Sequence, residues 1–298
     1  MTAGKNRQIL LASRPRGEPT LDNFSFVETD VPEPGPNQML LKTVYLSLDP
    51  YMRGRMNAGP SYAKPVEVGE VMEGRSVCEV IKSNLPLFTV NDLVVAGTGW
   101  QEFSLSDGNG VQKIDPSLRP ISYALGVLGM PGLTAYTGLL NIGQPKPGET
   151  LVVAAASGAV GAVVGQMAKI KGCRVIGIAG GEQKCRYVHD ELGFDDCLDH
   201  HETDLAERLK AACPKGIDIY FENVSGAVFD AVLPLLNNFA RIPVCGLIAN
   251  YNATELPAGP NRVPQLMLAI LVKRLTFRGF IVWDYASQYA DFVRDMSG

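Results

Sequence analysis

Residues 151–170, LVVAAASGAVGAVVGQMAKI, constrain the fold of this chain more than any other segment. Residues 151–155 form a short apolar run, which is typical of a parallel strand buried on both faces. Two glycines, Gly158 and Gly161, come next. Apolar residues then recur at helical spacing, at Val160, Val163, Val164 and Met167. The segment therefore predicts a strand, a glycine turn and a helix in immediate succession.

This turn has the chemistry of a pyrophosphate site. Glycines let a backbone approach the anion, and the N–H groups and dipole at a helix start favour negative charge. The spacing is AxxGxxG, with Ala155 at the first glycine position of the common dinucleotide-binding fingerprint. A membrane helix is the alternative, because the run is nearly all apolar and contains GxxxG at Gly161 and Gly165. Its glycines and serine make it a poor membrane span, and the strands that follow need a first strand to pair with.

Strands and helices alternate from Glu149 onward. The predicted strands cover residues 150–156, 173–179, 196–200, 216–224, 240–248 and 275–282. The predicted helices cover the segment after Gly161 and residues 183–192, 204–213, 227–238 and 263–274. Strands joined by crossover helices predict an α/β fold with a doubly wound, six-stranded parallel sheet, the Rossmann architecture.

The first part of the chain, to about residue 120, has a different pattern. Short apolar runs cut by proline and glycine occupy residues 38–48, 70–81, 91–97 and 100–106. This pattern is typical of a compact antiparallel barrel or sandwich. Residues 123–140 then favour a helix, although Gly126, Gly129 and Pro131 interrupt it.

Charge and cysteine usage limit the partners and the compartment. A net charge of −4 and a pI near 5.5 argue against nucleic acid or an anionic membrane as a general partner. The first residues lack the continuous apolar core of a secretory signal. The six cysteines form no CxxC pair, and most sit in apolar contexts. We therefore predict reduced, buried thiols in a cytoplasmic protein.

The number and the positions of the histidines argue against a zinc site. His189, His200 and His201 all lie in the second half of the chain, and no Cys or His precedes Cys78. A structural zinc site needs clustered thiolates, and a catalytic one needs three protein ligands. We therefore predict that the protein uses no metal.

Several strings together resemble one superfamily. They are LSLDPYMRGRM (46–56), GMPGLTAYTGLL (129–140), AAASGAVGAVVGQMAKIKGCRVIGIAG (154–180), YFENVSG (220–226), CGLIANYNATELPAGP (245–260) and RGFIV (278–282). Through these strings the chain resembles the zinc-independent medium-chain dehydrogenases/reductases. Within that superfamily it resembles the NADPH-dependent double-bond reductases: the prostaglandin, plant alkenal and bacterial curcumin/dihydrocurcumin reductases. ENVSG, VCGLI and YNATELPAGP are most like the curcumin reductases.

The resemblance implies a division into domains. Residues 1–122 would form a GroES-like β-barrel with the substrate and catalytic groups, and residues 123–283 an NADP-binding Rossmann domain. Residues 284–298 would begin a return to the catalytic domain, truncated before the family's usual last forty to fifty residues. Ser225 is a further departure, because the family usually has a second glycine there. Relatives are often dimers, so the resemblance also implies a homodimer.

The resemblance implies an activity as well. NADPH would deliver hydride to the β-carbon of an α,β-unsaturated ketone or aldehyde, such as a curcumin-type enone or an alkenal, and negative charge would move to the carbonyl oxygen. No metal is needed, because the cofactor and hydrogen bonds can polarise this small-molecule substrate. Two alternatives stay open: a quinone oxidoreductase on the same fold, and a non-catalytic NADPH-binding scaffold.

Three tyrosines are implied on the substrate side. Tyr251 would be the catalytic tyrosine, since a phenol can donate a hydrogen bond to the oxygen that becomes an enolate. Tyr62, in GPSYAKP, resembles a catalytic and substrate-binding tyrosine of the bacterial reductases, and Tyr51, in DPYMR, a residue of the cleft wall. The alternative for Tyr251 is a loop aromatic that only packs.

Three polar residues are implied on the cofactor side. Lys184 lies about twenty residues after the glycine turn, where a cation suits the 2′-phosphate of NADPH. Glu182, nearby, could instead suit NAD. His200 matches a tyrosine that contacts the same phosphate, and Asn223 matches an asparagine that contacts the cofactor. The alternatives are a solvated lysine, a surface histidine and a turn asparagine.

The remaining implied contacts to the cofactor are mostly apolar or made by the backbone. Met130, in GMPG, would touch the nicotinamide, although it could equally be a core residue. The other implied cofactor-binding residues are Thr134, Ala156, Gly158, Ala159, Val160, Gly161, Gly180, Cys245, Gly246 and Phe280.

Overall fold

A computed structural model of the chain describes residues 4–255 and 261–297. Their mutual contacts divide them into two compact units. Unit 1 contains the residues up to Leu125 and, from later in the chain, Tyr251–Thr254. Unit 2 contains Gly126–Asn250 and the remaining described residues. In this division residues 123–125 and 251–254 lie in unit 1 and residues 284–297 lie in unit 2. The predicted functional domains stay predictions.

Among the described residues, unit 1 is built from antiparallel strands, one short α-helix and two 3₁₀ turns. Its elements are β1 (Lys5–Leu11), β2 (Phe24–Asp30), β3 (Met39–Leu46), α1 (Tyr51–Arg55), β4 (Ser76–Ser83), β5 (Leu93–Ala96), β6 (Phe103–Ser106) and β7 (Gln112–Lys113). β1 and β2 pair with each other, and the other strands form a sheet in the order β6-β3-β4-β5-β7. A cluster of apolar side chains from β3, β4 and β5 is fully or almost fully buried. The predicted antiparallel N-terminal architecture is confirmed.

Unit 2 holds a six-stranded sheet in which every neighbouring pair is parallel. Its strands are β8 (Thr150–Ala154), β9 (Arg174–Ala179), β10 (Asp196–Asp199), β11 (Ile217–Phe221), β12 (Leu236–Val244) and β13 (Thr276–Gly279). The order β10-β9-β8-β11-β12-β13 is that of the doubly wound dinucleotide-binding sheet, as predicted. The strand order reverses between β8 and β11, which is where such sheets bind ligands.

Helices cover both faces of this sheet. They are α2 (Met130–Thr137), α3 (Gly161–Ile170), α4 (Glu182–Arg186), α5 (Leu205–Ala212), α6 (Gly226–Val232), α7 (Val263–Lys273) and α8 (Tyr289–Ser297). Alternate residues of β8 enter different clusters: Leu151 and Val153 belong to one, Val152 and Ala154 to the other. The uninterrupted apolar run of β8 is therefore explained by burial on both faces.

One predicted helix is too long. The helix expected over 227–238 ends at Val232, a short 3₁₀ turn follows at Leu233–Leu235, and β12 begins at Leu236. Asn237 belongs to the strand, where its amide donates to the Lys215 carbonyl and the Asp218 carboxylate. These tertiary hydrogen bonds stabilise the strand conformation over the helical pattern of the local sequence.

The GxxxG motif of α3 serves packing within unit 2. A Cβ atom on Gly165 would lie 1.8 Å from the ring of Phe194, and one on Gly161 would lie 2.3 Å from the carbonyl oxygen of Ala155. The segment forms a strand, a turn and a ten-residue helix instead of one long helix. Among the described residues, no helix combines the length and the apolar character needed to cross a membrane. The membrane-helix alternative for residues 151–170 is therefore wrong.

The last described residues pack on α2. The hydroxyl of Tyr136 donates to the Asp295 carboxylate at 2.7 Å, and Asn141 and Gln288 exchange side-chain hydrogen bonds at 3.0 and 3.1 Å. Phe292 is fully buried against the same cluster as β8. These contacts explain why residues 284–297 lie in unit 2.

Candidate active site

The predicted cofactor residues follow the ends of the parallel strands. Ala156 comes after β8, Gly180 after β9, His200 after β10, Asn223 after β11 and Cys245 after β12. Phe280 follows β13 in the same way. Parallel strands end at a common edge, so the topology brings these positions to the carboxyl edge where α/β sheets bind ligands.

The turn after β8 is tightly wound around one carbonyl group. Ala155 has a φ of 54°, a left-handed conformation that favours glycine, at the position where the common fingerprint has its first glycine. The N–H of Gly158 donates to the Ala155 carbonyl at 2.9 Å. Any side chain on Gly161 would collide with that carbonyl. Gly161 is thus required by the turn itself.

The helix start after this turn suits an anion. The first turn of any helix presents N–H groups that have no partner within the helix. In α3 two of these N–H groups, those of Ala162 and Val163, donate to the carbonyls of Gly158 and Val160 just before the helix, at 2.9 and 3.1 Å, so the helix dipole and the exposed turn carry the attraction for an anion. Gly158 and Ala159 are exposed, so a ligand can reach the backbone. This arrangement fits a pyrophosphate.

Two histidines lie over Gly180. A Cβ atom there would lie 2.9 Å from Nε2 of His200 and 3.1 Å from the His201 ring. The two rings are 4.3 Å apart, centroid to centroid, and both residues are exposed. Asp199 holds this corner, since its Oδ1 accepts from the N–H groups of Gly181 and His201 at 2.9 and 3.0 Å. Those backbone hydrogen bonds lower the pKa of Asp199.

Lys184 lies exposed on α4. The carboxylate of Glu182 forms an ion pair with Arg186 at 2.8 Å, one helical turn away. The charge of Glu182 is therefore paired within α4. Arg186 is a second cation on the helix that carries Lys184. This pairing weakens the case for Glu182 as a ribose-binding acid of an NAD enzyme.

Asn223 connects the two strands at the point where the sheet order reverses. Its Nδ2 donates to the carbonyl of Ala154 at the end of β8, at 2.8 Å. The amide nitrogen therefore has a structural partner, which agrees with the turn-asparagine alternative. The side-chain oxygen of Asn223 is the atom that could still contact the cofactor, as predicted from the resemblance.

The buried carboxylate of Glu222 organises the loops around Asn223. Its Oε1 accepts from the Tyr220 hydroxyl and from the N–H groups of Val224 and Ser225, at 2.7 to 3.0 Å. Its backbone carbonyl accepts from the N–H groups of Cys245 and Gly246, at 2.9 and 3.1 Å. Burial raises the pKa of Glu222 despite these donors. One residue thus joins the loops after β11 and β12.

The predicted cofactor residues on α2 already make contacts within unit 2. Thr134 is buried, and its hydroxyl donates to the Met130 carbonyl at 2.7 Å. Met130 packs against the core cluster of β8, as the core alternative expects, but is only partly buried. Phe280 packs edge-on against Phe221, and both rings approach Gly138 of the next helical turn.

In unit 1, Arg55 brings two of the predicted tyrosines together. Its guanidinium carbon lies 4.5 Å from the ring centroid of Tyr62 and 5.5 Å from that of Tyr51. Arg55 is almost fully buried, donates to Glu73 at 2.7 Å and donates to Ser61 at 3.2 Å. Since cation–π contacts hold a ring by its face, Arg55 orients both rings.

The two rings differ in exposure. Tyr62 is 60% exposed, whereas Tyr51 is half-buried. Burial, and then the charge of Glu73, raise the pKa of Tyr51 to about 12. Its hydroxyl therefore stays protonated at neutral pH and can act as a hydrogen-bond donor.

Tyr251 also lies in unit 1. The residue after it, Asn252, accepts a hydrogen bond from Nε of Arg53 at 2.9 Å. All three predicted substrate-side tyrosines thus belong to one unit, and α1 contributes an arginine on either side of Gly54 to hold their surroundings.

Residue patterns did not single out Arg53, Arg55 or Glu222. The two arginines stand in the quoted string DPYMRGRM, but nothing local distinguishes them from solvated surface arginines. Glu222 carried a usable signal, because a carboxylate that directly follows the apolar run IYF is out of place in a buried strand.

Two family models match the chain. The one described as "N-terminal domain of oxidoreductase" matches residues 7–114, and the one described as "Zinc-binding dehydrogenase" matches residues 159–297. The chain is also 59% identical over 293 residues to the NADPH-dependent curcumin reductase of Escherichia coli (strain K12), an alignment that covers 98% of this chain and 85% of the relative. The chain belongs to the medium-chain dehydrogenase/reductase family. The predicted resemblance is confirmed.

Other members of the family are similar over comparable lengths. The 2-alkenal reductase (NADP(+)-dependent) of Nicotiana tabacum is 40% identical, covering 97% of this chain and 84% of the relative. The crystal structure of CurA in complex with NADPH from Vibrio vulnificus is 58% identical with a TM-score of 0.95, covering 98% and 87% of the two chains.

The second family is described as zinc-binding, but the described residues of this chain offer no zinc site. Within 4–255 and 261–297, no three His, Cys, Asp or Glu side chains are grouped so that they could hold a metal ion. All six cysteines are free thiols, and burial raises the pKa of Cys78, Cys173 and Cys213 to about 11 and that of Cys245 to about 12.

Proposed function

We propose that this protein is an NADPH-dependent reductase of the conjugated carbon–carbon double bond in α,β-unsaturated ketones and aldehydes. The observation that carries this proposal is the 59% identity, over nearly the whole chain, to a relative named NADPH-dependent curcumin reductase. A relative named 2-alkenal reductase supports the same substrate class. Because the similarity spans both units, it covers the cofactor side and the substrate side alike.

The residues of unit 2 fit NADPH. The glycine turn after β8 and the start of α3 suit the pyrophosphate. Lys184 and His200 would bind the 2′-phosphate, since both can donate to it and the lysine brings a full positive charge. Asn223, held against β8, would present its side-chain oxygen to the cofactor. NADPH, when bound, supplies the hydride for the β-carbon of the substrate.

The tyrosines of unit 1 would act on the substrate oxygen and the ring systems. Tyr251 would donate its hydroxyl proton in a hydrogen bond to the carbonyl oxygen, where negative charge develops, and thereby stabilise the enolate. Tyr51, whose hydroxyl stays protonated at neutral pH, is suited to donate and not to remove a proton. Tyr62, with its face against Arg55, would line the wall that meets a flat, conjugated substrate.

We further propose that two copies associate through α7 and β13. β13 is an edge strand of the sheet, and an unpaired strand edge can pair with another chain. α7 packs Ala269 and Ile270 on the core but leaves one apolar stripe in solvent. The stripe consists of Val263, Met267, Leu268, Leu271 and Val272, each 57 to 74% exposed. A second copy would cover both features by two-fold symmetry.

Reduced thiols support a cytoplasmic location for the proposed reductase. All six cysteines are free, and four of them are buried thiols. Unpaired cysteines are typical of a reducing compartment, which would also supply NADPH in reduced form. Cell fractionation with an antibody against the native protein would test this location.

The function is tested by NADPH consumption against a panel of substrates with product identification. Enals, enones, diarylheptanoids and quinones should be compared at equal concentration. We expect enones and enals to give products saturated at the former double bond, one per NADPH consumed. Quinone turnover alone would instead favour a quinone oxidoreductase, and tight NADPH binding without turnover of any substrate would favour a non-catalytic scaffold.

A further inference from the structure

Arg53 fastens the segment that carries Tyr251. Its Nε donates to Oδ1 of Asn252 at 2.9 Å, its Nη1 to Oδ1 of Asn57 at 2.8 Å and its Nη2 to the carbonyl of Gly17 at 2.8 Å. All three nitrogens of one planar guanidinium are therefore used, one by Asn57 just beyond α1 and the others by two distant segments of unit 1. A lysine ammonium cannot reproduce this planar fork.

The 251–254 segment is held by unit 1 although the chain on both sides of it belongs to unit 2. A Cβ atom on Gly17 would lie 3.8 Å from the Thr254 side chain and 3.9 Å from the Asn252 carbonyl, so the segment lies along the turn that Arg53 also binds. Asn252 is 199 residues away from Arg53 in sequence, and its side chain is exposed. A hydrogen bond to a charged donor is the kind of contact that can fix such a segment.

We propose that Arg53 is a positioning residue for the reduction: through Asn252, it fixes the place of the Tyr251 hydroxyl in unit 1. This inference rests on the proposed function, because it gives Tyr251 the role of donor to the substrate oxygen. Catalytic hydrogen bonds are sensitive to displacements of a fraction of an ångström to one ångström. Loss of the Arg53–Asn252 bond therefore lowers turnover without touching the cofactor.

The test is a mutant cycle on the full chain, measured with an enone and NADPH. Arg53→Gln and Asn252→Ala should each lower kcat by about five- to tenfold, while the NADPH dissociation constant from fluorescence titration stays within about twofold. The double variant should be no slower than either single variant, since both break the same bond. Asn57→Ala is the matched control, because it removes another Arg53 partner and leaves the 251–254 segment bonded; its kcat should stay near that of the parent.

Tyr251→Phe provides the second half of the cycle. Alone it should lower kcat by about tenfold to a thousandfold, because it removes the proposed donor to the enolate oxygen, and it should leave NADPH affinity nearly unchanged. In the Tyr251→Phe background, Arg53→Gln should cause no further loss, because the hydroxyl that Arg53 positions is gone. Additive losses in that background would overturn the proposal and assign Arg53 a general structural role.

Hydrogen exchange separates the proposal from the function on which it rests. Backbone amides of residues 251–254 should exchange faster in Arg53→Gln, and this readout requires no turnover. Faster exchange with unchanged kcat would overturn the positioning role while leaving the reductase assignment intact. A parent chain that turns over no enone would overturn the proposed function, and the positioning role with it.

Discussion

At the residue scale, the proposed function makes cofactor choice depend on a few charged side chains that follow β9 and β10. Lys184 is exposed on α4, and Glu182 on the same helix is paired with Arg186. The histidine pair lies over Gly180, where an added Cβ atom would press against both rings. If these residues bind the ribose as proposed, their charges favour a 2′-phosphate over a free hydroxyl.

The first prediction concerns Lys184. Lys184→Ala should weaken NADPH binding by about 1.5–3 kcal/mol, or roughly tenfold to a hundredfold, because one charged partner of the 2′-phosphate is lost. NADH binding should change far less. Fluorescence titration of both cofactors measures the difference, with Lys210→Ala as a control at an exposed lysine on α5. Equal weakening of both cofactors would show that Lys184 does not bind the phosphate.

The second prediction concerns Glu222. Burial raises its pKa in the folded protein above the ordinary value of 4.5, so the folded state disfavours the ionised form. Its contribution to stability is therefore greatest below the unfolded pKa and is lost as pH rises through the folded pKa. Glu222→Gln keeps an oxygen acceptor for the same donors and removes the ionisation.

The melting temperature of Glu222→Gln should consequently improve relative to the parent as pH increases from about 4 to about 8. Glu202→Gln, at an exposed position, serves as the control and should follow the parent at every pH. Parallel pH curves for the parent and Glu222→Gln would show that Glu222 stays ionised at little cost.

At the scale of elements, two turns hold a non-glycine residue in a backbone conformation that favours glycine: Ser225, where the family usually has glycine, and Ala155, at the first glycine position of the common dinucleotide-binding fingerprint. Ser225 has φ 74° and ψ −164°, a region that is almost reserved for glycine, and it begins α6. Ala155 has φ 54° in the turn between β8 and α3. The sequence therefore carries a serine and an alanine at two turns whose backbone geometry favours glycine.

The third prediction follows from these turns. Ser225→Gly should raise the free energy of unfolding by about 1 kcal/mol, because relief of the backbone strain exceeds the added flexibility of the unfolded chain. Ala155→Gly should give a smaller gain, since the left-handed region is less costly for alanine. Urea denaturation measures both.

Ser287→Gly is the matched control for these turns. Ser287 lies exposed in the 3₁₀ helix Val282–Gln288, where glycine brings no relief and should cost about 0.5–1 kcal/mol. If Ser225→Gly destabilises the protein as much as Ser287→Gly does, the strain at Ser225 is not real.

At the scale of the whole molecule, the apolar stripe of α7 and the edge strand β13 lie together on unit 2. The fourth prediction is that Leu271→Asp converts a dimer into a monomer, because a carboxylate at the most exposed residue of the stripe cannot be buried unpaired. Analytical ultracentrifugation should show the parent at twice the chain mass of 32.1 kDa and the variant at that mass. Ile170→Asp, at an exposed apolar residue of α3, should remain dimeric. A monomeric parent would exclude the proposed interface.

Much of the fold was predictable because its signals are local. The apolar run of β8, the glycines after it and the helical spacing of α3 are all contained in twenty consecutive residues, and the alternation of strands and helices predicts the parallel sheet by short-range rules. The edge of the sheet where a dinucleotide fits follows from the same alternation, whereas the individual cofactor residues were implied by the family resemblance and stay predictions. Element boundaries were less predictable, most clearly at Leu236, where hydrogen bonds of Asn237 outweigh the local helical pattern.

The sequence by itself therefore determined the α/β class, the strand–turn–helix unit and the edge where a dinucleotide fits, because neighbouring residues carry that information. The tertiary structure alone decided that Arg55 faces Tyr51 and Tyr62 and that Glu222 joins two loops. It also decided that Arg53 holds Asn252 across 199 residues of chain. Such pairs leave no periodic trace, since their residues become neighbours only when distant segments pack.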